Sequence, residues 1–353
     1  MICLVYIDDC LFFAPDGSNF DSMLQQLRNV NLTLEKEDNV AGFLGVHLDV
    51  DHNNGTVELN QRGLVDRIIN AMGLDDSTSV KTPAEYGALP KDENSDSCNS
   101  TFNYSSIVGM LLYLKNHSRP DLTFAVSQCA RYTFCPKLSH EKALKRIGRY
   151  LQGTRDKGLI MKPTTELNVD CYVDSDFTGL WGYEDDQDPT CVRSRTGYII
   201  TIGGCPVLLS SKLQTEIALS IMEAEYIALS MSLKQLIPFK CLVESIWDDV
   251  GLKQDKLISI NTTVWEDNQG CKMLATLEPP RMTPRSKHYA IKYHWFRTQL
   301  EPNYIVIKSI DSVEQLADMF TKGLRRVLFE AFRLKAMGWQ SPQHLLWLHW
   351  FGK

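Results

Sequence analysis

Four stretches of this sequence carry carboxylates in settings suited to a hard cation. In NVDCYVDSDFT (Asn168 to Thr178) an apolar-alternating strand delivers Asp174 to its end, with Asp176 just beyond. Glu225 lies in SIMEAEYIALS, Asp267 in VWEDNQG and Asp318 in SVEQLADMFTK. The local patterns predict strand, helix, strand end and helix, in that order. Mg2+ takes oxygen ligands, and a pair of such ions needs acids converging from several elements. The chemistry such a set supports is metal-assisted phosphodiester hydrolysis, in which one ion lowers the pKa of a bound water and the other steadies the leaving oxygen.

Each acid has a setting of its own. On a helix, Glu225 has Ile221, Ala224, Ala228 and Leu229 as neighbours, which puts it inside the apolar stripe. A carboxylate there is costly unless a cation or partner neutralises it. That selects Glu225 over Glu223, whose face is more mixed. Asp267 stands at a strand-to-helix junction, where α/β sheets present their ligands. Asp318 shares a polar face with Glu314, Thr321 and Lys322, and is expected to be the most exposed, exchangeable acid. Lys287 and His288, in a basic helix start, could contact a phosphate or shuttle a proton; a satisfied surface histidine is an equal alternative. Asp8 and Asp9 sit in a tight turn between ICLVY and LFFA, as ordinary turn residues or as a polymerase-type metal hairpin.

The elements that must position these acids follow from the hydrophobic pattern. The first half predicts a hairpin (Ile2 to Ala14), a helix (about Phe20 to Leu32), a hairpin turning at Asn53-Asn54-Gly55, and a helix from Gly63 to Met72. A Ser-, Pro- and Asp-rich linker (Asp75 to Asn103) leads to three helical runs, Tyr104 to Asn116, Asp121 to Phe134 and Ser139 to Gln152. From Leu159 strands alternate with helices, which predicts a mixed sheet flanked by helices. The fold class expected is thus α+β followed by α/β. Expected units are 1–74, 75–156, 157–330 and a tail, 331–353.

The chain has 353 residues, 44% hydrophobic, with a net charge of −6. A nucleic-acid partner must therefore be met by a local patch. One candidate is the helix SHEKALKRIGRYLQGT, with Lys142, Lys145, Arg146, Arg149 and Arg155; a solvated helix face and a phosphate-tracking surface stand as equal readings. The ten cysteines are scattered without a C-x-x-C pair, as reduced core cysteines are. No signal peptide and no run of about 18 apolar residues stands out, so no membrane is expected.

The motifs taken together resemble the C-terminal part of a Ty1/copia-type retrotransposon Pol polyprotein. They run nearly end to end: YIDD, FLGVHLD, LNQRGLVDRI, KTP, SSIVGMLLYL, SRPDLTFAVS, CPKLSHEKALKRIGRYLQGTRDKGL, DSDF, RSRTGY, EAEYIAL, EDNQG, RSKHYAIKYHWFR and EQLADMFTK. The resemblance implies the end of a reverse transcriptase palm, a thumb or connection region, and a ribonuclease H-like domain. It matches Asp8 and Asp9 to the polymerase acid pair, and Asp174, Glu225, Asp267 and Asp318 to the ribonuclease H metal ligands. It implies Mg2+ or Mn2+ as cofactor and the RNA strand of an RNA–DNA hybrid as substrate, cut to a 3′-hydroxyl and a 5′-phosphate. In the parent polyprotein the partners would include an RNA and DNA template-primer, and the missing N-terminal Pol portion or a second copy could pair with this chain. The implied location is the cytoplasm, in a virus-like particle, or the nucleus. One departure is a Phe at position 177, where the family usually has Trp. The other is the front: the first palm carboxylate would precede Met1, so no polymerase activity is expected from this chain alone. The alternative to an active ribonuclease is a catalytically inert remnant that binds nucleic acid or does nothing.

Overall fold

The computed structural model describes residues 1–7, 9–13, 20–32, 34–35, 42–98, 101–250, 260–276, 295–296, 298–302 and 304–339. Short apolar runs at the front form β1 (Ile2–Tyr6) and β2 (Asp9–Phe13), an antiparallel pair with Tyr6 opposite Asp9. Helix α1 (Phe20–Asn29) follows. Strands β3 (His47–Asp51) and β4 (Thr56–Asn60) pair antiparallel, and Asp51 Oδ1 caps the turn by accepting from the Asn53 and Asn54 amides at 2.9 and 3.1 Å.

Helices α2 (Arg62–Ala71), α3 (Tyr104–His117), α4 (Thr123–Ala130) and α5 (Leu138–Gln152) build the first core. Asn103 caps α3 through the Ser106 amide, 2.9 Å. The second helical run divides into a 3-10 turn (Pro120–Leu122) and α4, and stops four residues short of Phe134. The SRPDL stretch places Arg119 and Asp121 there as a buried bidentate pair, 2.9 and 2.8 Å, with Tyr150 donating to Asp121 at 2.6 Å. Strand β5 (Leu159–Met161) pairs with β4, so the LIMK strand completes a sheet of the first half.

The central sheet consists of β6 (Val169–Asp176), β7 (Arg195–Ile202), β8 (Cys205–Leu213), β9 (Thr262–Glu266) and β10 (Ile305–Ser309), in the order β10-β9-β6-β7-β8. Strands β6, β7 and β8 are antiparallel; β9 runs parallel to β6, and β10 parallel to β9. This is the mixed sheet expected from the alternation of strands and helices. Both faces are covered. Cys171, Val173 and Ile200 meet Tyr226, Leu229 and Leu233 of α6 (Ile221–Asp249). Tyr172, Ile199 and Leu209 point the other way, into the core built from α2 to α5. A fully buried Ile or Leu stabilises by about 1.5–3 kcal/mol, so the second face matters as much as the first.

Helix α6 is long and apolar enough, by length and composition, to cross a membrane, which the sequence pattern did not signal; 56% of its most apolar window is buried in the protein. The chain ends its described part with α7 (Gln269–Thr276), α8 (Asp318–Thr321) and α9 (Arg326–Met337). The longer helix expected over VEQLADMFTKGL is instead a 3-10 turn (Ser312–Glu314) and the single turn α8. Helix α9 crosses position 331 and packs Phe329, Phe332 and Ala336 into the first core.

Three of the basic residues in or just after α5 make ion pairs within the protein. Lys145 pairs with Glu141 at 2.6 Å, Arg146 with Glu85 at 3.1 Å, and Arg155 with Asp66 at 2.5 Å. Arg146 and Arg155 thereby hold the linker and α2 in place. The short linker residue Thr82 accepts from Arg146 at 2.9 Å for the same reason.

Candidate metal centre

The site opens where two parallel strands part. Strands β6 and β9 pair as far as Tyr172 and Trp265, and the acids lie just beyond. Asp174 is inside β6, which runs on to Asp176, so the strand does not stop at Asp174 as the pattern suggested. Gln315 fills the gap: its buried amide donates to Val173 O at 2.9 Å and to Trp265 O at 3.3 Å, tying the approach to α8 across both strands.

Glu225 is delivered by the first turns of α6. Ser220 accepts from the Glu223 amide at 3.2 Å, while Glu223 accepts from the Leu219 amide at 2.7 Å, a reciprocal cap. Glu223 is thereby spent on the helix start and Glu225 faces the sheet. Gln214 fixes the helix laterally, donating to Ser175, Thr196 and Ala224 O at 3.2, 3.1 and 2.8 Å.

One carboxylate oxygen each from Asp174, Glu225 and Asp267 lies within 4.8 Å of the others. Asp174 and Glu225 are each 4% exposed. Asp267 is half-buried and accepts from Ser312 at 2.8 Å. Asp318 joins from α8, but as a neighbour of Asp174: Lys322 Nζ stands 2.9 Å from Asp318 Oδ1 and 3.8 Å from Asp174 Oδ2. At 6% exposure Asp318 is buried, contrary to its expected place as the most exposed acid. The reason is α8 itself, whose Met319, Phe320 and Thr321 are all buried, leaving no solvated face.

Glu266, next to Asp267 at the end of β9, is fully buried, and its charge is felt by Glu225. Its signal was present in the strand parity, since residue 266 shares a face with the buried Val264. Thr321, whose hydroxyl donates to Asp174 Oδ2, and Lys322 were likewise legible only as polar neighbours of Asp318. Asp9 opens an exposed hairpin that pairs only with itself among the described residues. Asp8, Lys287 and His288 lie outside the described residues.

The electrostatics suit a cation. Burial, then the charges of Asp174, Glu266 and Asp267, push Glu225 up to about 11. Burial, reinforced by Asp267, pushes Glu266 up to about 8. Burial and Asp174 push Asp318 up to about 7, and burial pushes Asp176 up to about 6. Burial works against the Lys322 ammonium, but Asp174 and Asp318 outweigh it and hold the charge on. Glu225 Oε2 and Glu266 Oε2 have no hydrogen-bond partner among the described residues. Buried carboxylate oxygens without donors are what a hard divalent ion satisfies. The donor set therefore fits such an ion.

Comparison with known proteins places the chain. No family model matches it. It is 30% identical over 332 residues to the retrovirus-related Pol polyprotein from transposon RE2 of Arabidopsis thaliana, covering 94% of this chain and 21% of that protein. It is also 30% identical over 240 residues to the uncharacterized mitochondrial protein AtMg00810 of Arabidopsis thaliana, covering 67% of this chain and 93% of that one. Among solved structures, LC11-RNase H1 isolated from compost is 21% identical, covering 43% of this chain and 91% of that chain, with a TM-score of 0.29. The chain belongs to the Pol polyproteins of copia-type retrotransposons. It spans about a fifth of the length of the RE2 polyprotein, 21%.

Proposed function

We propose that the chain is a divalent-cation-dependent ribonuclease acting on the RNA strand of an RNA–DNA hybrid. The observation that carries this is the convergence of Asp174, Glu225 and Asp267 from β6, α6 and the end of β9 within 4.8 Å. Membership in the Pol family supports the substrate class. Bound Mg2+ or Mn2+ would polarise the scissile phosphate and acidify water.

The chain's own residues supply the rest. Buried Glu225 and Asp174 form the floor of the site, and half-buried Asp267 forms its solvent side, so substrate approaches past Asp267. Ser312 holds the Asp267 carboxylate and Thr321 holds that of Asp174, so both present a fixed oxygen. Water attacks phosphorus and the bond to the 3′-oxygen breaks, leaving a 3′-hydroxyl and a 5′-phosphate.

The test is purified chain, an RNA–DNA hybrid and Mg2+. The RNA strand should be cut, and Glu225→Gln or Asp267→Asn should abolish cutting. Equal cutting by those variants and the parent would place the metal site elsewhere. Hybrid binding that weakens with salt, without any cleavage, would favour an inert binding remnant.

A further inference from the structure

The three oxygens that converge come from Asp174, Glu225 and Asp267, and Asp318 is not among them. Asp318 instead faces the Lys322 ammonium at 2.9 Å, and the same ammonium stands 3.8 Å from Asp174 Oδ2. Asp174 Oδ2 also accepts the Thr321 hydroxyl, so the α8 side of this carboxylate meets one hydrogen-bond donor and one nearby cation of the protein. An ammonium is a compact point charge with three donors, able to satisfy two carboxylates as an ion would.

The Lys322 backbone is held in place. A β-carbon on the following Gly323 would strike the carbonyl oxygen of Glu85 and stand 3.1 Å from that of Gly87. The linker therefore presses directly on the residue after Lys322. The Lys322 side chain is 43% exposed and borders a cleft of about 760 Å³ whose walls include Tyr86, Asp176, Tyr183 and Arg325.

Building on the hydrolase reading above, we propose that Lys322 is a positioning residue whose ammonium takes the place of a second cation between Asp174 and Asp318. The chain then binds one divalent ion, at Asp174, Glu225 and Asp267. This departs from the four-acid, two-ion arrangement that the sequence motifs imply.

The test counts Mn2+ bound by the full chain without nucleic acid, from the electron paramagnetic resonance signal of the free ion near neutral pH. Wild type should bind one ion and Asp174→Asn none. In Lys322→Met a second ion should bind at least about tenfold more tightly than any second ion in wild type. Lys322→Arg, which keeps the charge, should return to one. Far-ultraviolet circular dichroism checks that each variant is folded. Two comparable ions in wild type, or no gain in Lys322→Met, would overturn the role of Lys322 and leave the carboxylate site standing. No ion in wild type would overturn the carboxylate site itself, and Lys322 with it.

Discussion

Gly197 on β7 lies directly under Thr321 of α8: a β-carbon at position 197 would stand 2.6 Å from Thr321 Cγ2 and 2.9 Å from Phe320 Cβ. Gly197 is also the register partner of Asp174. The missing side chain thus lets α8 descend far enough for the Thr321 hydroxyl to reach the Asp174 carboxylate. Gly197→Ala should force α8 outward, at an overpacking cost of about 1–3 kcal/mol. The expected outcome is a folded chain with weakened Mn2+ binding and slower hybrid cleavage. Denaturant unfolding and a Mn2+ titration, measured on the same preparation, check both parts.

The buried acids set a pH dependence of stability with a definite sign. Glu225 at about 11, Glu266 at about 8 and Asp318 at about 7 keep their protons in the folded chain long after an unfolded chain has released them. Unfolded carboxylates titrate near pH 4 to 4.5, roughly. Above that, the unfolded state binds fewer protons than the folded one, so stability falls as pH rises. Thermal melts in chelator should show Tm falling from about pH 5 to pH 8, and added Mg2+ or Mn2+ should flatten the slope.

Glu225→Gln separates stability from function at one atom. The amide keeps the shape and removes a group whose ionisation the fold disfavours. In chelator near pH 8 its Tm should exceed that of the parent, with a shallower pH slope. The stabilisation by divalent ions should vanish. A variant that melts lower than the parent without metal, yet still responds to Mn2+, would show that Glu225 is a structural acid.

Arg119 and Asp121 make the opposite kind of pair, fully internal and hydrogen-bonded on both sides. Arg119 also bonds Thr154 Oγ1 at 2.8 Å, and Tyr150 receives Arg333 Nη1 at 3.0 Å. Asp121→Ala leaves a buried guanidinium uncompensated, and removal of one partner from such a pair costs about 3–5 kcal/mol. Urea unfolding should show a loss of that size. The number of Mn2+ ions bound by the folded fraction should stay the same.

Much of this arrangement was written in local pattern. Glu225 was legible because an acid one helical turn from Ile221, Ala228 and Leu229 is not expected to be a solvated residue. The strands of the central sheet were legible by parity, as Ile199 and Ile200 facing opposite cores illustrate. Asp318 was misread as exposed because its polar spacing described a long amphipathic helix, whereas tertiary packing allows one buried turn. Glu266 was passed over beside Asp267, since two adjacent acids point to opposite sides of a strand and spacing alone does not say which is inside. The pairing of β5 with β4 and the Lys322 bridge are contacts between distant segments, and no local period encodes them.

The second face of the central sheet rests on α2 to α5 and on α9. Excising the central-sheet half would therefore strip a layer from it, leaving Ile199, Met319 and Phe320 open to water directly behind Asp174 and Asp318. The helical region serves as the back wall of the sheet that carries the carboxylates, so trimming the chain to residues 157–330 would give an aggregating fragment. Lesions in those helices would loosen the site from behind, without touching a single carboxylate.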